Sequence, residues 1–333
     1  MRLQHLFPLS GGPTALFLSF FIFLPACAPE SGQDAQEAAA VSHPERPGQG
    51  VEPQAYSLFG EALYEMEDTT GAIADADSAL ARDPGNLEKI IAAARVRRNF
   101  WHYRQAMELY TRAIEQAPDD WRPYRYRGHR HISLREFEAA IQDLEKARSL
   151  APMNWDVAYH LGLAYYVSGD FQKAFMEYRR CLDLASDQEA EAADGPDFRS
   201  CSRNGDDPES RVAMTEWAVR AGVRSGQGDE ARALLAAIPT DLEVEENIAY
   251  YHDLLFYKGE LSEEALLNPG PDAPYRRETV GYGVANWTLA QGDTARAVAL
   301  LEELVQDPWW PGFGRIASEA DLWRLTDAGA RRP

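Results

Sequence analysis

The chain has 333 residues, 45% of them hydrophobic, which is enough apolar material for the core of one large domain or two ordinary ones. Its formal net charge at pH 7 is −20. A charge of this sign repels a phosphate backbone, so we expect no binding of nucleic acid.

The first 26 residues have the features of a bacterial lipoprotein signal peptide. A short apolar run at residues 15–24 follows Arg2, and a run this short is typical of a signal peptide rather than a membrane span. Residues 24–27 (LPAC) resemble the lipobox, whose cysteine is lipidated and becomes the first mature residue. We therefore expect lipidation at Cys27. The alternative is an ordinary secretory signal that happens to contain a cysteine.

Residues 27–52 are predicted to form the lipid anchor and a flexible tether. They are rich in Pro, Gly, Ala, Gln and Glu and show no periodicity. A coil of this length reaches roughly 25–30 Å. By resemblance to bacterial lipoproteins, Ala28 in place of an aspartate favours the outer membrane, with the domain in the periplasm and the lipid as its only membrane attachment.

A period of 34 residues runs through the next part of the chain. Three columns of small residues and one of proline keep this spacing: Gly60, Ala94, Gly128 and Gly162; Ala72, Ala106, Ala140 and Ala174; Ala79, Ala113, Ala147 and Cys181; Pro84, Pro118 and Pro152. Each period predicts two amphipathic helices that approach closely at the small residues, with proline ending the second helix. One such pair cannot bury its own apolar face, so the pairs must stack into a superhelix.

This pattern resembles the tetratricopeptide repeat (TPR) family, and the segment NWDVAYHLGLAYYVSGDFQKAFMEYRRCLDLA, which begins at Asn154, is close to the family consensus. The resemblance implies an all-α TPR superhelix, or α-solenoid, with about seven helical pairs and a C-terminal capping helix. Four regular repeats are assigned to residues 53–86, 87–120, 121–154 and 155–186. Three polar residues occupy columns that the family usually fills with apolar ones: Arg97, Arg127 and His131.

The 34-residue register breaks after residue 186. Residues 187–209 are polar and strongly acidic, which predicts a loop insertion. Degenerate TPR-like pairs are expected over residues 210–310, each with a glycine in its turn. Residues 311–333 are predicted to form the capping helix and a tail.

Two cysteines remain if Cys27 carries the lipid. Cys181 and Cys201 would be an even pair in an oxidising compartment, which permits a disulfide. The alternative is that Cys181 is a small buried helix residue and Cys201 a free loop thiol.

The sequence carries no catalytic signature. The zinc-protease pattern, the phosphate-binding loop, the nucleophile elbow and the C-x-x-C pair are all absent. Three histidines lie on first helices of adjacent repeats, but partner contacts or surface positions explain them better than a metal site: His129, His131 and His160. We therefore predict that the chain is not an enzyme and uses no metal or cofactor.

In TPR proteins, ligand contacts come from the first helix of each pair. The resemblance assigns this role to Arg95, Arg98, Asn99, Arg122, Arg125, Tyr126, His129, Tyr159, His160 and Tyr166. Residues 95–135 contain ten arginines and four acids. Guanidinium groups bind carboxylates bidentately, so we expect a basic, tyrosine-lined concave groove that binds an acidic or C-terminal segment of a protein partner. The alternative is a solvated helix face whose arginines pair with acids elsewhere in the chain.

These features together predict a non-catalytic, protein-binding scaffold or adaptor that is lipid-anchored at the bacterial envelope. A structural subunit of an envelope assembly, secretion or pilus complex is the main alternative. A glycan-binding lipoprotein is less favoured, because the chain lacks the long decorated loops of such proteins.

Overall fold

The computed structural model describes residues 52–185, 198–268 and 277–326. Cys27, the tether up to residue 51, residues 187–197 of the acidic insertion and the C-terminal tail lie outside these ranges, so the predictions made for them remain predictions. Within the described ranges, no helix has the length and apolar character needed to cross a bilayer.

The described ranges contain one short hairpin and fifteen helices. The hairpin strands are β1 (Ala55–Tyr56) and β2 (Ala62–Leu63). The N-terminal helices are α1 (Ala72–Ala81), α2 (Leu87–Asn99), α3 (Tyr103–Gln116), α4 (Trp121–Ser133), α5 (Phe137–Leu150), α6 (Trp155–Ser168) and α7 (Phe171–Leu182). The C-terminal helices are α8 (Cys201–Asp206), α9 (Pro208–Arg224), α10 (Gly228–Ala236), α11 (Ile248–Lys258), α12 (Glu263–Leu267), α13 (Arg277–Ala290), α14 (Thr294–Leu304) and α15 (Phe313–Leu325).

Consecutive helices pack as pairs, and the predicted all-α solenoid is confirmed. The pairs are α2 with α3, α4 with α5, α6 with α7, α9 with α10, α11 with α12, and α13 with α14. The small-residue columns explain the pairing. A Cβ atom added to Gly128 would lie 2.6 Å from Leu144 Cγ, and one added to Gly162 would lie 2.3 Å from Tyr178 Cε1. The two helices of each pair therefore approach at these glycines.

The first repeat departs from the prediction, because residues 52–71 contain the hairpin where a helix was expected. Gly60 and Gly71 have φ angles of 80° and 78°, in the left-handed region that glycine adopts readily. The inward residues of the hairpin, Ala55 and Leu63, belong to an apolar cluster with residues as distant as Trp310. A contact at that distance overrides the local helical pattern, and α1 alone completes the first repeat.

The acidic insertion is shorter than predicted, because residues 201–209 are largely helical. Ser200 Oγ accepts a hydrogen bond from the Arg203 amide at 3.1 Å and caps α8. Asp207 caps α9 by accepting from the Ser210 amide at 2.9 Å. Serine and aspartate are strong N-cap residues, so these two helix starts are encoded locally.

A disulfide joins Cys181 on α7 to Cys201 on α8, with the two Cα atoms 5.1 Å apart. Both cysteines are fully buried. Backbone hydrogen bonds reinforce the junction, since the Trp155 amide donates to the Arg199 carbonyl at 2.7 Å and the Cys201 amide donates to the Met153 carbonyl at 2.8 Å. The segment that precedes α8 is therefore fastened to the start of the fourth repeat.

The C-terminal segment, residues 307–325, lies against the first helices of two N-terminal repeats. Helix α15 packs on α4 and α6 as well as on its neighbours α13 and α14. Trp310, just before α15, contacts Trp101 and Tyr103, with ring centroids 5.4 Å away in both cases. Its indole nitrogen donates to the Tyr64 carbonyl at 3.2 Å. The two ends of the described fold therefore meet.

A buried ion pair completes this closure. Arg135 Nε donates to Glu319 Oε2 at 2.9 Å, and Arg135 Nη2 donates to the Trp310 carbonyl, also at 2.9 Å. The Arg135 and Glu319 side chains are 2% and 1% exposed. Arg315, one turn before Glu319 on α15, adds a second guanidinium 3.3 Å from the Glu319 carboxylate.

Two residues that contact the C-terminal segment, Trp101 and Arg135, have a left-handed backbone conformation. Trp101, Arg135 and Gly169 follow one another at the 34-residue period in the turns within helix pairs, with φ angles of 59°, 64° and 95°. A left-handed conformation costs a residue with a Cβ atom roughly 1–2 kcal/mol, and it persists where surrounding contacts over-determine it. The tryptophan and arginine side chains supply such contacts by binding residues 309–319.

Reduction of the disulfide is expected to destabilise the protein by about 3 kcal/mol, because the bond restricts the unfolded chain over a separation of 20 residues. Thermal unfolding with and without reductant measures the loss. The Cys181→Ser, Cys201→Ser variant is the control, since its unfolding should not respond to reductant. Identical midpoints for the wild-type protein under both conditions would contradict the expectation.

Arg135→Ala is expected to destabilise the fold by roughly 3 kcal/mol, because it removes the main partner of the buried Glu319 carboxylate. Alanine also has a Cβ atom and therefore keeps the backbone strain of the left-handed conformation. The loss of stability then reports only the contacts of the arginine side chain. Urea unfolding measures the loss. The control, Arg277→Ala, breaks a pair with Glu303 whose side chains are 60% and 62% exposed, and it should cost less than about 1 kcal/mol. Equal losses would show that the Arg135 pair contributes no more than a surface pair.

Candidate functional site

The ten predicted groove residues lie on α2, α4 and α6 and fall into two sets. One set is exposed or partly exposed: Arg95, Asn99, Arg122, Tyr126 and Tyr159. The other set is buried: Arg98, Arg125, His129, His160 and Tyr166. The prediction of one open groove through all ten residues therefore needs correction, since half of them belong to the interior.

The C-terminal segment covers several of the buried residues. The Phe313 ring centroid lies 5.1 Å from that of His129 and 6.0 Å from that of His160. It also lies 6.4 Å from the ring of the partly exposed Tyr159. The side of α4 and α6 that was expected to receive a partner is thus packed against the chain's own C-terminal segment.

Tyr166 is part of a second internal contact with that segment. Its hydroxyl donates to Asn286 Oδ1 at 3.0 Å and lies 2.7 Å from the Tyr282 hydroxyl. Tyr282 in turn donates to Asp321 Oδ2 on α15 at 2.8 Å. Tyr166 therefore positions α13 and α15 and does not contact a groove.

Asp321 is the main acid of this contact. Burial alone would raise its pKa, but Arg224 at 2.8 Å and Arg324 at 2.6 Å outweigh burial, and the pKa lies below its ordinary value. The carboxylate is therefore charged at neutral pH and links α9 to α15. Asp321 is thus paired with two arginines of the same chain, Arg224 and Arg324.

A basic cluster lies between α4 and α6. The His129 and His160 ring centroids are 4.4 Å apart, and Arg125 Nη2 lies 3.3 Å from both the His160 ring nitrogens and Asp156 Oδ2. Burial lowers the pKa of His129 well below its ordinary value, and the positive charges of Arg130, His160, Arg125 and Arg98 lower it further. His129 is therefore neutral at physiological pH.

The exposed set continues this basic region to the surface. The Tyr126 ring lies between two guanidinium carbons, that of Arg95 at 6.0 Å and that of Arg125 at 5.2 Å. The Tyr110 ring lies 5.5 Å away and supports Tyr126. Asn99, one turn after Arg95 on α2, is exposed. We call Arg95, Asn99, Arg122 and Tyr126 the α2–α4 face.

Arg122 is held by acids of the same chain. It binds Asp120 and Glu88, each through Nη2 at 2.7 Å. The hydrogen bond to Asp120 is the largest of the contributions that raise the pKa of Arg122. For this arginine, the alternative of a helix face with intramolecular ion pairs describes the structure correctly.

The three polar residues in usually apolar columns each have an acidic partner. Arg97 binds Asp77 on α1 at 2.7 and 2.8 Å. Arg127 makes two hydrogen bonds of 2.7 Å to Asp143 on α5. His131 lies 2.6 Å from Glu136. Polar contacts therefore replace apolar packing at these places.

The sequence analysis missed the residues that close the superhelix: Trp101, Arg135, Trp310, Phe313 and Glu319. One signal was available. Trp101 and Arg135 occupy the turn position that Gly169 occupies in the fourth repeat, where a residue with a Cβ atom is unexpected. In the part of the chain that the structure describes, no group of three or more His, Cys, Asp or Glu side chains is placed to hold a metal ion.

Residues 126–189 match the family model described as tetratricopeptide repeat. A stretch of 90 residues, 27% of this chain, is 34% identical to small glutamine-rich tetratricopeptide repeat-containing protein 2 of Saccharomyces cerevisiae. A stretch of 99 residues, 29% of the chain, is 28% identical to the BBSome complex member BBS4 of Bos taurus. The matches span 26% and 18% of those two relatives, so the chain corresponds to about a quarter of their length or less.

Two solved structures are also similar. MamA protein shares 19% identity at a TM-score of 0.40, with 59% of this chain and 88% of that chain covered. YrrB, described as a TPR protein with an unusual peptide-binding site, shares 16% identity at a TM-score of 0.40, with 75% and 99% covered. The family match over residues 126–189, the 34-residue period and the stacked helix pairs agree, and this part of the chain consists of tetratricopeptide repeats.

Proposed function

We propose that this TPR protein is a non-catalytic scaffold that binds a short acidic segment of a protein partner on the α2–α4 face. Its family supports this function, because TPR proteins generally bind other proteins and do not catalyse reactions. The sequence and the described residues offer no competing constellation of catalytic or metal-binding groups.

The observation that carries the proposal is the arrangement around Tyr126. Its ring is partly exposed and packs against the guanidinium groups of Arg95 and Arg125. A partly exposed aromatic ring beside the Arg95 guanidinium group offers a ligand apolar contact together with charge-assisted hydrogen bonds to a carboxylate. The Arg125 guanidinium group is buried and contributes only its charge. The buried guanidinium groups of Arg98, Arg125 and Arg130, whose charges act on His129, favour an acidic ligand.

The closure of the superhelix limits the size of the ligand. Helix α15 and Phe313 occupy the side of α4 and α6 along which a longer peptide would have to run. A partner segment on the α2–α4 face would therefore contact one or two repeats. We infer that it is a short acidic motif or the C-terminus of a protein rather than a long extended chain.

Arg95→Glu combined with Tyr126→Ala should weaken binding of a glutamate-rich peptide by roughly tenfold to a hundredfold, since a charge-assisted hydrogen bond contributes about 1.5–3 kcal/mol. Calorimetry at low and high salt measures the affinity, with one peptide set ending in a free carboxylate and one amidated. The control is Arg179→Glu, which reverses a partly exposed charge on α7. Equal affinities for the double variant, the control and the wild type would reject this surface.

We further propose that the protein is lipid-anchored through Cys27 at the outer membrane and faces the periplasm. The support is the short apolar run followed by LPAC at residues 24–27 and the tether-like composition up to residue 52. More than one acyl chain would be needed for stable anchoring, and lipoprotein processing supplies this.

Cys27→Ser should release the protein from membranes and abolish labelling by a fatty acid. Membrane fractionation and metabolic labelling measure the two effects. Cys181 and Cys201 are buried and disulfide-bonded, so the Cys181→Ser, Cys201→Ser variant should still be labelled. Membrane retention of the Cys27 variant at the wild-type level would refute the anchor.

A further inference from the structure

Three ionisable side chains are buried together in the C-terminal half of the fold. Glu216 and Arg220 lie on α9 and Asp253 lies on α11, and each is 0% exposed. Two carboxyl groups therefore face one guanidinium group. If both carboxyl groups were ionised, the cluster would hold a net negative charge in the interior, which is strongly unfavourable.

The two carboxyl groups differ in the number of hydrogen-bond donors that they receive. Glu216 accepts from the Tyr257 hydroxyl at 2.7 Å and is paired with Arg220 Nε. Among the described residues, Asp253 has one hydrogen-bond donor, Arg220 Nη2 at 2.8 Å from Oδ2. Each group also has one buried oxygen without a hydrogen-bond partner there, Oδ1 of Asp253 and Oε2 of Glu216, so the difference is that Glu216 has two donors and Asp253 has one. Asp253 is thus the poorer site for a negative charge.

Helix α13 further excludes water from the Asp253 carboxyl group. A Cβ atom added to Gly283 would lie 2.5 Å from both Cγ and Oδ1 of Asp253. The glycine therefore lets the α13 backbone approach the carboxyl group so closely that no room for water is left on that side. A carboxyl group without water and without a second donor favours its neutral form.

We propose that Asp253 carries a proton on Oδ1 in the folded protein at neutral pH, while Glu216 is the carboxylate that pairs with Arg220. The cluster then has no net charge. The buried core of the C-terminal half thereby becomes a proton-binding site at the contact of α9, α11 and α13. This site is independent of the α2–α4 face.

The other titratable groups around the cluster agree with this assignment. Burial raises the pKa of both carboxyl groups, that of Asp253 well above its ordinary value and that of Glu216 to about 7, and the attraction of Arg220 offsets only part of this effect. The two groups therefore compete for one proton, and the two donors to Glu216 favour its position on Asp253. Tyr257 on α11 and Tyr282 on α13 also have pKa values raised by burial, so both stay neutral. The neighbouring His252 is partly exposed, and burial lowers its pKa.

A proton held in this way links stability to pH. The folded protein binds it, whereas the unfolded chain releases it above the ordinary pKa of an aspartate. The contribution of the site to stability is therefore complete at acidic pH and is lost as pH rises through the folded pKa of Asp253. The direction is opposite to that of a carboxylate stabilised by an ion pair.

Asp253→Asn tests the proposal, because asparagine mimics the neutral acid. The unfolding equilibrium constant of the wild type, divided by that of the variant, should rise by up to about tenfold per pH unit between about pH 5 and 7. Urea unfolding at several pH values measures this ratio. A ratio that does not change with pH would overturn the proposal.

Asp321→Asn is the matched control. Asp321 is also fully buried, but two arginines and the Tyr282 hydroxyl hold it ionised. Its replacement should destabilise the protein at pH 7, and the wild-type to variant ratio should not rise with pH. A rise equal to that of the Asp253 variant would also count against the assignment.

Infrared spectroscopy provides a second measurement on the folded wild type at pH 7. The difference spectrum between the wild type and the Asp253 variant should contain the band of a protonated carboxyl group, and the difference with the Asp321 variant should not. If Asp253→Asn does not fold, Glu216→Gln replaces it, because Asp253 should then ionise to pair with Arg220 and lose the band. Absence of a protonated-carboxyl band from the wild type would refute the proposal.

Discussion

The buried pair of Arg135 and Glu319 is the contact on which the closure of the described helices depends. The pair joins the turn of the third repeat to the last helix across 184 residues of sequence. Removing one partner of such a pair leaves an uncompensated charge in the interior, so the two residues strongly favour one docked position of α15. The same arginine also binds the Trp310 carbonyl and thereby positions the residues that precede α15.

Docking of α15 converts the inner side of the superhelix into a core. One apolar cluster contains residues of α6, such as Leu161, together with Ile316 and Ala320 of α15. An open solenoid stabilises each repeat mainly through its neighbours, whereas here distant repeats share a common core. The hairpin at residues 52–66 depends on this closure, because Trp310 covers its inward face.

Arginine serves two purposes in this acidic chain. In the interior it joins helices through bidentate contacts, as Arg127 does with Asp143 and Arg224 does with Asp321. The planar guanidinium group suits this task because it stays charged and fixes the orientation of a carboxylate. On α2 the partly exposed Arg95 guanidinium group lies beside the Tyr126 ring. A local excess of arginine is therefore not in itself evidence of a binding groove.

The helical repeat could be predicted from the sequence, since the 34-residue period reflects packing between helices adjacent in the chain, as at Gly128 and Gly162. The N-caps of α8 and α9 are also local, because Ser200 and Asp207 accept hydrogen bonds from amides three residues away, but the acidic composition of residues 187–209 led to the prediction of a loop there. The closure and the burial of half the predicted groove were decided by the tertiary structure alone. The contact of Trp310 with Tyr64 spans 246 residues, and a contact at that distance leaves no periodic trace in the sequence.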